Sequence, residues 1–220
     1  MSEELNKYCA VDLYDRTTHA IVDLDDVLAD FPMTFIAYIK AKTGKCLDIP
    51  SGEYGLENYV KNKYGAYGEE LVNNFYEEGY LKYLDIIHGA GKTFSILKNS
   101  GFTLHALTGR PYWINECVND TLYWLAKNGF QFDTLNFCKN KGEFCKATFD
   151  QSASYWIAIE DSLEYALQLS KVVNKVYLRN MHHNINHETP PNVVRFCDFR
   201  EIHESLISDS MTGKIKYGSC

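Results

Sequence analysis

A chain of 220 residues with 45% hydrophobic and 23% charged side chains and a mean hydropathy of −0.30 has the make-up of a folded globular protein, which excludes a disordered or collagen-like polymer. Twenty-two basic against 29 acidic residues leave a net charge of −7, a balance that repels a nucleic acid polymer. Uncharged apolar runs such as residues 31–39 and 152–159 stop far short of the ~20 residues that span a bilayer, so no membrane association is expected.

Seven cysteines without a Cys-x-x-Cys pair argue for reduced thiols rather than a disulfide framework or a zinc ribbon. The acidic start Ser2-Glu3-Glu4 lacks the basic and apolar regions of an export signal, so a cytoplasmic protein is expected, as a monomer or homodimer.

In chain order, residues 1–17 read as an N-terminal extension, and residues 20–24 as a strand running into acids. From 31 to 84 no strand pattern appears. Helical spacing (Phe31, Phe35, Tyr38, Ile39) and the turns Pro50-Ser51-Gly52 and Gly65-Ala66-Tyr67-Gly68 predict a helical insertion there. Gly89-Ala90-Gly91-Lys92-Thr93 imitates the end of a phosphate-binding P-loop, but Ile86 stands where the first glycine is required, and a helix start is predicted instead.

Strands are then predicted at 102–107, 134–137, 156–159, 176–178 and 193–196. Helices are predicted at 113–128, closed by Gly129, and at 163–173, entered through Ser162. Residues 210–220 read as a polar tail. The alternation predicts an α/β protein, a three-layer Rossmann-like core (18–30 and 85–209) around a parallel sheet, with a small helical cap (31–84) inserted after the first strand.

The chemistry gathers at the predicted strand ends, where ligands of open α/β sheets bind. The first strand delivers Asp23, Asp25, Asp26 and Asp30, and the strand at 156–159 runs into Glu160-Asp161. Two carboxylates ~4 Å apart repel by about 4 kcal/mol at an effective dielectric near 20, so a cluster of them calls for a cation or for protonation. Oxygen ligands with no His or Cys point to Mg²⁺ rather than zinc. Thr108-Gly109-Arg110 offers a hydroxyl, an open amide and a guanidinium suited to phosphate oxygens, and Lys139 and Lys141 follow the strand at 134–137.

Asp23-x-Asp25-x-Val27-Leu28-Ala29-Asp30, Leu107-Thr108-Gly109-Arg110-Pro111, Lys141 and Glu160-Asp161 resemble the four motifs of the haloacid dehalogenase-like phosphatase superfamily. The early helical cap and Lys139-Asn140-Lys141 look most like its 5′(3′)-deoxyribonucleotidase and cytosolic 5′-nucleotidase members. The resemblance implies a Mg²⁺-dependent phosphatase acting on a small phosphorylated substrate, foremost a nucleoside monophosphate. Sugar phosphates or a polynucleotide 3′-phosphate are the alternative substrates, and a non-catalytic nucleotide-binding protein is the alternative role.

The same resemblance implies that Asp23 is the nucleophile, Asp25 the general acid and base, and Lys141 the neutralising cation. Asp23, Asp25 through its backbone carbonyl, Asp161 and Glu160 would hold Mg²⁺. Thr108, Gly109 and Arg110 would hold the phosphoryl group, and Lys139 and Phe31 would contact the rest of the substrate. Two departures from the pattern stand out: Asp26 replaces a usual glycine, and Arg110 replaces part of a Ser-Pro type turn. His182, His183 and His187 lie in a Pro- and Asn-rich segment and are expected to face solvent.

Overall fold

The computed structural model describes residues 18–50, 55–149 and 155–212. The expectations for the extension 1–17, for Ser51-Gly52 and for the tail beyond 212 lie outside the described residues.

β1 (Thr18–Val22) is followed by helices α1 (Phe31–Thr43), α2 (Leu56–Tyr64) and α3 (Ala66–Glu77), a 3₁₀ turn at Tyr80–Tyr83, and α4 (Ala90–Asn99). Strand and helix then alternate through β2 (Thr103–Thr108), α5 (Asn115–Lys127), β3 (Thr134–Phe137), α6 (Lys141–Thr148), β4 (Tyr155–Glu160) and α7 (Leu163–Leu169). The chain closes with β5 (Lys175–Arg179), β6 (Val193–Phe196) and α8 (Phe199–Met211).

All six strands pair in parallel in the order β3-β2-β1-β4-β5-β6. The chain leaves the central strand β1 in both directions, which opens a crevice at its carboxyl end. Alternate side chains of β1 face opposite layers: Ala20 and Val22 pack with Phe94, Trp124 and Ile202 from α4, α5 and α8, whereas Ile21 packs with Cys145, Ala166 and Leu169 from α6 and α7. The predicted three-layer α/β architecture is therefore the observed one.

Between β1 and β2 the described residues contain helices and no named strand until β2. Asp30 caps α1 by accepting the Met33 amide at 3.3 Å, Pro32 occupies its first turn, and Gly44 ends it in a left-handed conformation with φ 70°. The two ends of the helical stretch are tied together, since Asp30 N–H donates to the Asp85 carbonyl at 2.9 Å and Ile87 N–H to the Leu28 carbonyl at 2.9 Å. Its apolar side, with Phe35, Tyr38, Leu71 and Phe75, joins the same buried cluster as β1 and β2.

Most predicted strands shift by one or two residues at their ends, and the two predicted helices and the predicted tail also change extent. The helix predicted at 163–173 ends at Leu169, because the chain must turn to feed β5 at Lys175, with Asn192 donating to the carbonyls of Ser170 and Val173 across that turn. The helix predicted from Trp113 starts at Asn115, which leaves Tyr112 and Trp113 exposed. The tail predicted from Ser210 begins later, since α8, opened by a capping box of Asp198 and Glu201, continues to Met211.

Candidate active site

Asp23 sits one residue past β1 and still belongs to the ladder, its amide donating to the Ile159 carbonyl at 3.1 Å. The chain then turns tightly, with both Leu28 and Ala29 amides on the Leu24 carbonyl at 2.8 Å. Asp26 takes a positive φ of 57° in this turn. That conformation accounts for the glycine usual at this place, and aspartate is among the few other residues that adopt it readily.

Lys141 opens α6 and is only 1% exposed. Its ammonium lies 2.9 Å from Asp23 Oδ1 and also bonds Glu160 Oε1. Glu160 is fully buried, and its other oxygen accepts the amides of Asp161 at 3.0 Å and Ser162 at 3.3 Å. Carboxylate oxygens of Asp23, Glu160 and Asp161 all lie within 4.8 Å of one another.

Burial and the neighbouring carboxylates of Glu160 and Asp25 push the Asp23 carboxyl up to about 8 despite Lys141. Asp26 is also pushed up to about 8 by burial and by Asp25, and Asp161 is raised by burial, Asp26 and Asp23. The surplus of negative charge fits a divalent cation. Asp23, Glu160 and Asp161 are the side chains grouped closely enough to hold it, and Glu160 at the same time anchors Lys141.

Arg110 departs further from expectation. Its Nε and Nη2 donate to the two Asp25 oxygens at 2.8 and 2.6 Å, and its Nη1 donates to Thr121 Oγ1 at 2.9 Å. All three nitrogens thus have partners within the protein, where Arg110 is 3% exposed, so at the edge of the cleft it holds Asp25. Thr108 is also corrected: it is fully buried, and its hydroxyl accepts the Arg110 amide at 3.2 Å to shape the turn, leaving Gly109 to line the cleft. Arg110→Gln is accordingly expected to lower kcat about 10-fold or more while KM for a phosphomonoester stays within about threefold. Steady-state kinetics check this, since an arginine on the phosphate would raise KM instead.

A cleft of about 510 Å³ opens over these groups. Asp23, Asp25, Asp26, Gly109, Arg110 and Asp161 line it together with Lys139, Trp113 and Tyr165, and the helical insertion adds Glu57, Asn58, Lys61, Asn73 and Tyr76. Lys139 lies 4.7 Å over the Trp113 ring, and Tyr76 donates to Glu57 at 3.0 Å. Phe31 reaches the cleft but is 9% exposed, stacked on Phe35 and edge-on to Phe75, so it belongs to the aromatic core of the helical insertion, the reading that its sequence context favoured over a substrate platform.

His183 corrects the expectation of a solvent-facing histidine cluster. Its side chain is 7% exposed with Nε2 4.0 Å from Asp161 Oδ2, while His182 and His187 stay exposed. Asn184 explains this placement, being fully buried and donating to the carbonyls of Asp161 at 2.7 Å and Arg179 at 2.8 Å, which draws the loop against the site. Sequence reasoning missed Trp113, Tyr165, Glu57 and Asn184. Only Tyr165 carried a signal, its place one helical turn after Asp161.

No protein-family model and no curated protein matches the sequence. Solved structures do. A haloacid dehalogenase-like family hydrolase from Streptococcus pneumoniae aligns with a TM-score of 0.61 at 12% identity over 87% of this chain and 99% of that one. A HAD family hydrolase from Deinococcus radiodurans, with bound phosphate and sodium, gives 0.57 at 12% identity over 88% and 96%. The HAD-hydrolase YfnB from Bacillus subtilis, bound to magnesium, gives 0.57 at 15% identity over 86% and 97%. At such identities the likeness is one of architecture, and the chain has the fold of the haloacid dehalogenase-like hydrolases.

Proposed function

We propose that the protein is a Mg²⁺-dependent phosphomonoesterase working through an aspartyl-phosphate, with residues 31–84 as a cap over the cleft. The observation that carries this reading is the convergence of Asp23, Glu160 and Asp161 with the buried Lys141 at the carboxyl end of the two central strands. Solved structures of the same fold with bound phosphate or magnesium support it.

An Asp23 oxygen bonds phosphorus as the ester P–O bond breaks, and Asp25, which must first take up a proton on an oxygen released by Arg110, gives it to the departing oxygen. Asp25 then takes a proton from water, whose oxygen attacks phosphorus, so that the bond to Asp23 breaks and inorganic phosphate leaves. Lys141 neutralises Asp23 and the phosphoryl oxygens, and Arg110 keeps Asp25 in place. Mg²⁺, held by Asp23, Asp161 and the Asp25 carbonyl, would supply charge neutralisation and polarisation of the phosphoryl group.

The substrate class we favour is a nucleoside 5′-monophosphate, because the Trp113 ring, 59% exposed, offers a flat apolar surface in the cleft wall beside Lys139. A sugar phosphate is the second reading, favoured by the hydrogen-bonding wall of Glu57, Asn58, Lys61 and Asn73. A screen of phosphomonoesters with and without Mg²⁺ tests reaction, cation and substrate together. Binding of nucleotides without turnover of any ester would overturn the enzymatic reading.

The cation has a readout independent of turnover. Asp23 titrates near 3.8 when free and about 8 in the fold, so between those values the folded chain keeps a proton that the unfolded chain has released. Without metal, stability from this group therefore falls as pH rises from about 4 to 8. Mg²⁺ at ~100 times its dissociation constant adds about 2.7 kcal/mol, or 5 °C or more in Tm. At one fixed Mg²⁺ concentration the gain is expected to be larger at pH 8 than at pH 6, where the cation must displace a proton. Thermal unfolding at the two pH values checks this, and an equal gain at both contradicts it.

A further inference from the structure

Three features of α7 and its neighbours converge on a side chain that has no part in the scheme above. Tyr165 lies in the first turn of α7, four residues after Asp161, and its amide donates to the capping Ser162 Oγ at 3.4 Å. The Lys141 ammonium sits 4.6 Å from its ring centroid. A Cβ built on Gly109 would lie 3.4 Å from its hydroxyl, so the ring spans the gap between the buried lysine and the open amide turn.

The floor of the cleft is short of donors. Arg110 is committed to Asp25 and Thr121, Thr108 does not line the cleft, and Lys141 is shared between two carboxylates. A phosphoryl group seated at Asp23 presents three charged oxygens beside Asp25, Asp26 and Asp161. Tyr165 lines this cleft, and its hydroxyl makes no hydrogen bond to a described residue. Burial shifts its phenol upward, which keeps the hydroxyl protonated and a donor at neutral pH.

We propose that the Tyr165 hydroxyl donates a hydrogen bond to a phosphoryl oxygen of the substrate beside the Gly109 amide, while its ring supports Lys141 from below. Gly109 fits this arrangement, since any side chain there would fill the space between amide and phenol. The inference rests on the phosphatase reading of the cleft.

The two roles of Tyr165 separate in two variants. Tyr165→Phe keeps the ring and loses the hydroxyl; with p-nitrophenyl phosphate and Mg²⁺ it is expected to lower kcat/KM about 10-fold and to raise the inhibition constant of inorganic phosphate about 5-fold, at unchanged Tm. Tyr165→Leu also removes the support of Lys141 and is expected to lose more of kcat. Wild-type kcat/KM and phosphate inhibition in Tyr165→Phe would overturn the inference while leaving the phosphatase reading intact. A loss of activity with a lowered Tm and unchanged phosphate inhibition would overturn it as well, assigning Tyr165 a structural part alone. If the wild-type protein neither hydrolyses a phosphomonoester nor binds inorganic phosphate by calorimetry, the phosphatase reading falls and takes Tyr165 with it.

Discussion

Asp23→Asn is expected to reduce Mg²⁺-dependent hydrolysis of p-nitrophenyl phosphate by about 10⁴-fold or more, the order lost when a nucleophile is removed from a covalent mechanism. The substitution preserves shape and removes the negative oxygen that attacks phosphorus. It also removes one of the carboxylates crowded within 4.8 Å of Glu160 and Asp161, so the metal-free variant is expected to unfold no earlier than the wild type at pH 8. Activity and thermal midpoint should thus part company. Full retention of activity would show that the ester is attacked by some other group, and the aspartyl-phosphate would have to be abandoned.

Lys141→Met is expected to cost about 3–5 kcal/mol of stability, because it leaves Glu160, fully buried, and Asp23, 8% exposed, facing each other without their cation. In a chain of this size that is a fall in Tm on the order of 10 °C. The sign of its pH dependence follows from the carboxyls: Glu160 is already raised by burial, and losing Lys141 raises it further, so the folded variant holds protons that the unfolded chain releases. The defect should therefore shrink as pH falls from 8 to 5, where protonation replaces the lost ammonium. Thermal unfolding at both pH values tests this, and a defect that grows toward acid would show that Lys141 is not the partner of these acids. Activity is expected to fall with stability, since the same ammonium faces the nucleophile.

Most of the sheet was legible in the chain. The run at 134–137 and the run at 193–196 are strands with those bounds, and the acids that follow 20–24 and 156–159 do meet, because β1 and β4 are neighbours in register, Val22 beside Ile159. Periodicity and β-branched residues report burial on two faces, which is local information. The absence of a strand pattern from 31 to 84 likewise reads directly as helices. Less legible were the ends of elements: α7 stops at Leu169 because of where β5 must begin, a demand made by the sheet and invisible within the helix itself.

At the site, residue types at strand ends announced charge and a phosphate-like ligand, but not who pairs with whom. Arg110 read as a phosphate ligand because a guanidinium after a Thr-Gly turn has the right chemistry, yet in the fold it is aimed at Asp25 and buttressed by Thr121, eleven residues on. Glu160 read as a helper at the metal, and in the fold it is also the buried counterion of Lys141. Trp113 and Tyr165 carried no charge, and only the fold shows that both line the cleft.

The order of apolar strands and terminal acids along the chain was enough to establish an α/β protein with an anionic crevice at one sheet edge, since hydrophobic periodicity and a cluster of like charges are properties of neighbouring residues. Which acids stand close enough together to share a cation, and which basic group serves which acid, were decided only by the tertiary structure. Ion pairs such as Arg110–Asp25, 85 residues apart in sequence, depend on distance and burial, and those exist only once the sheet has brought the strand ends together.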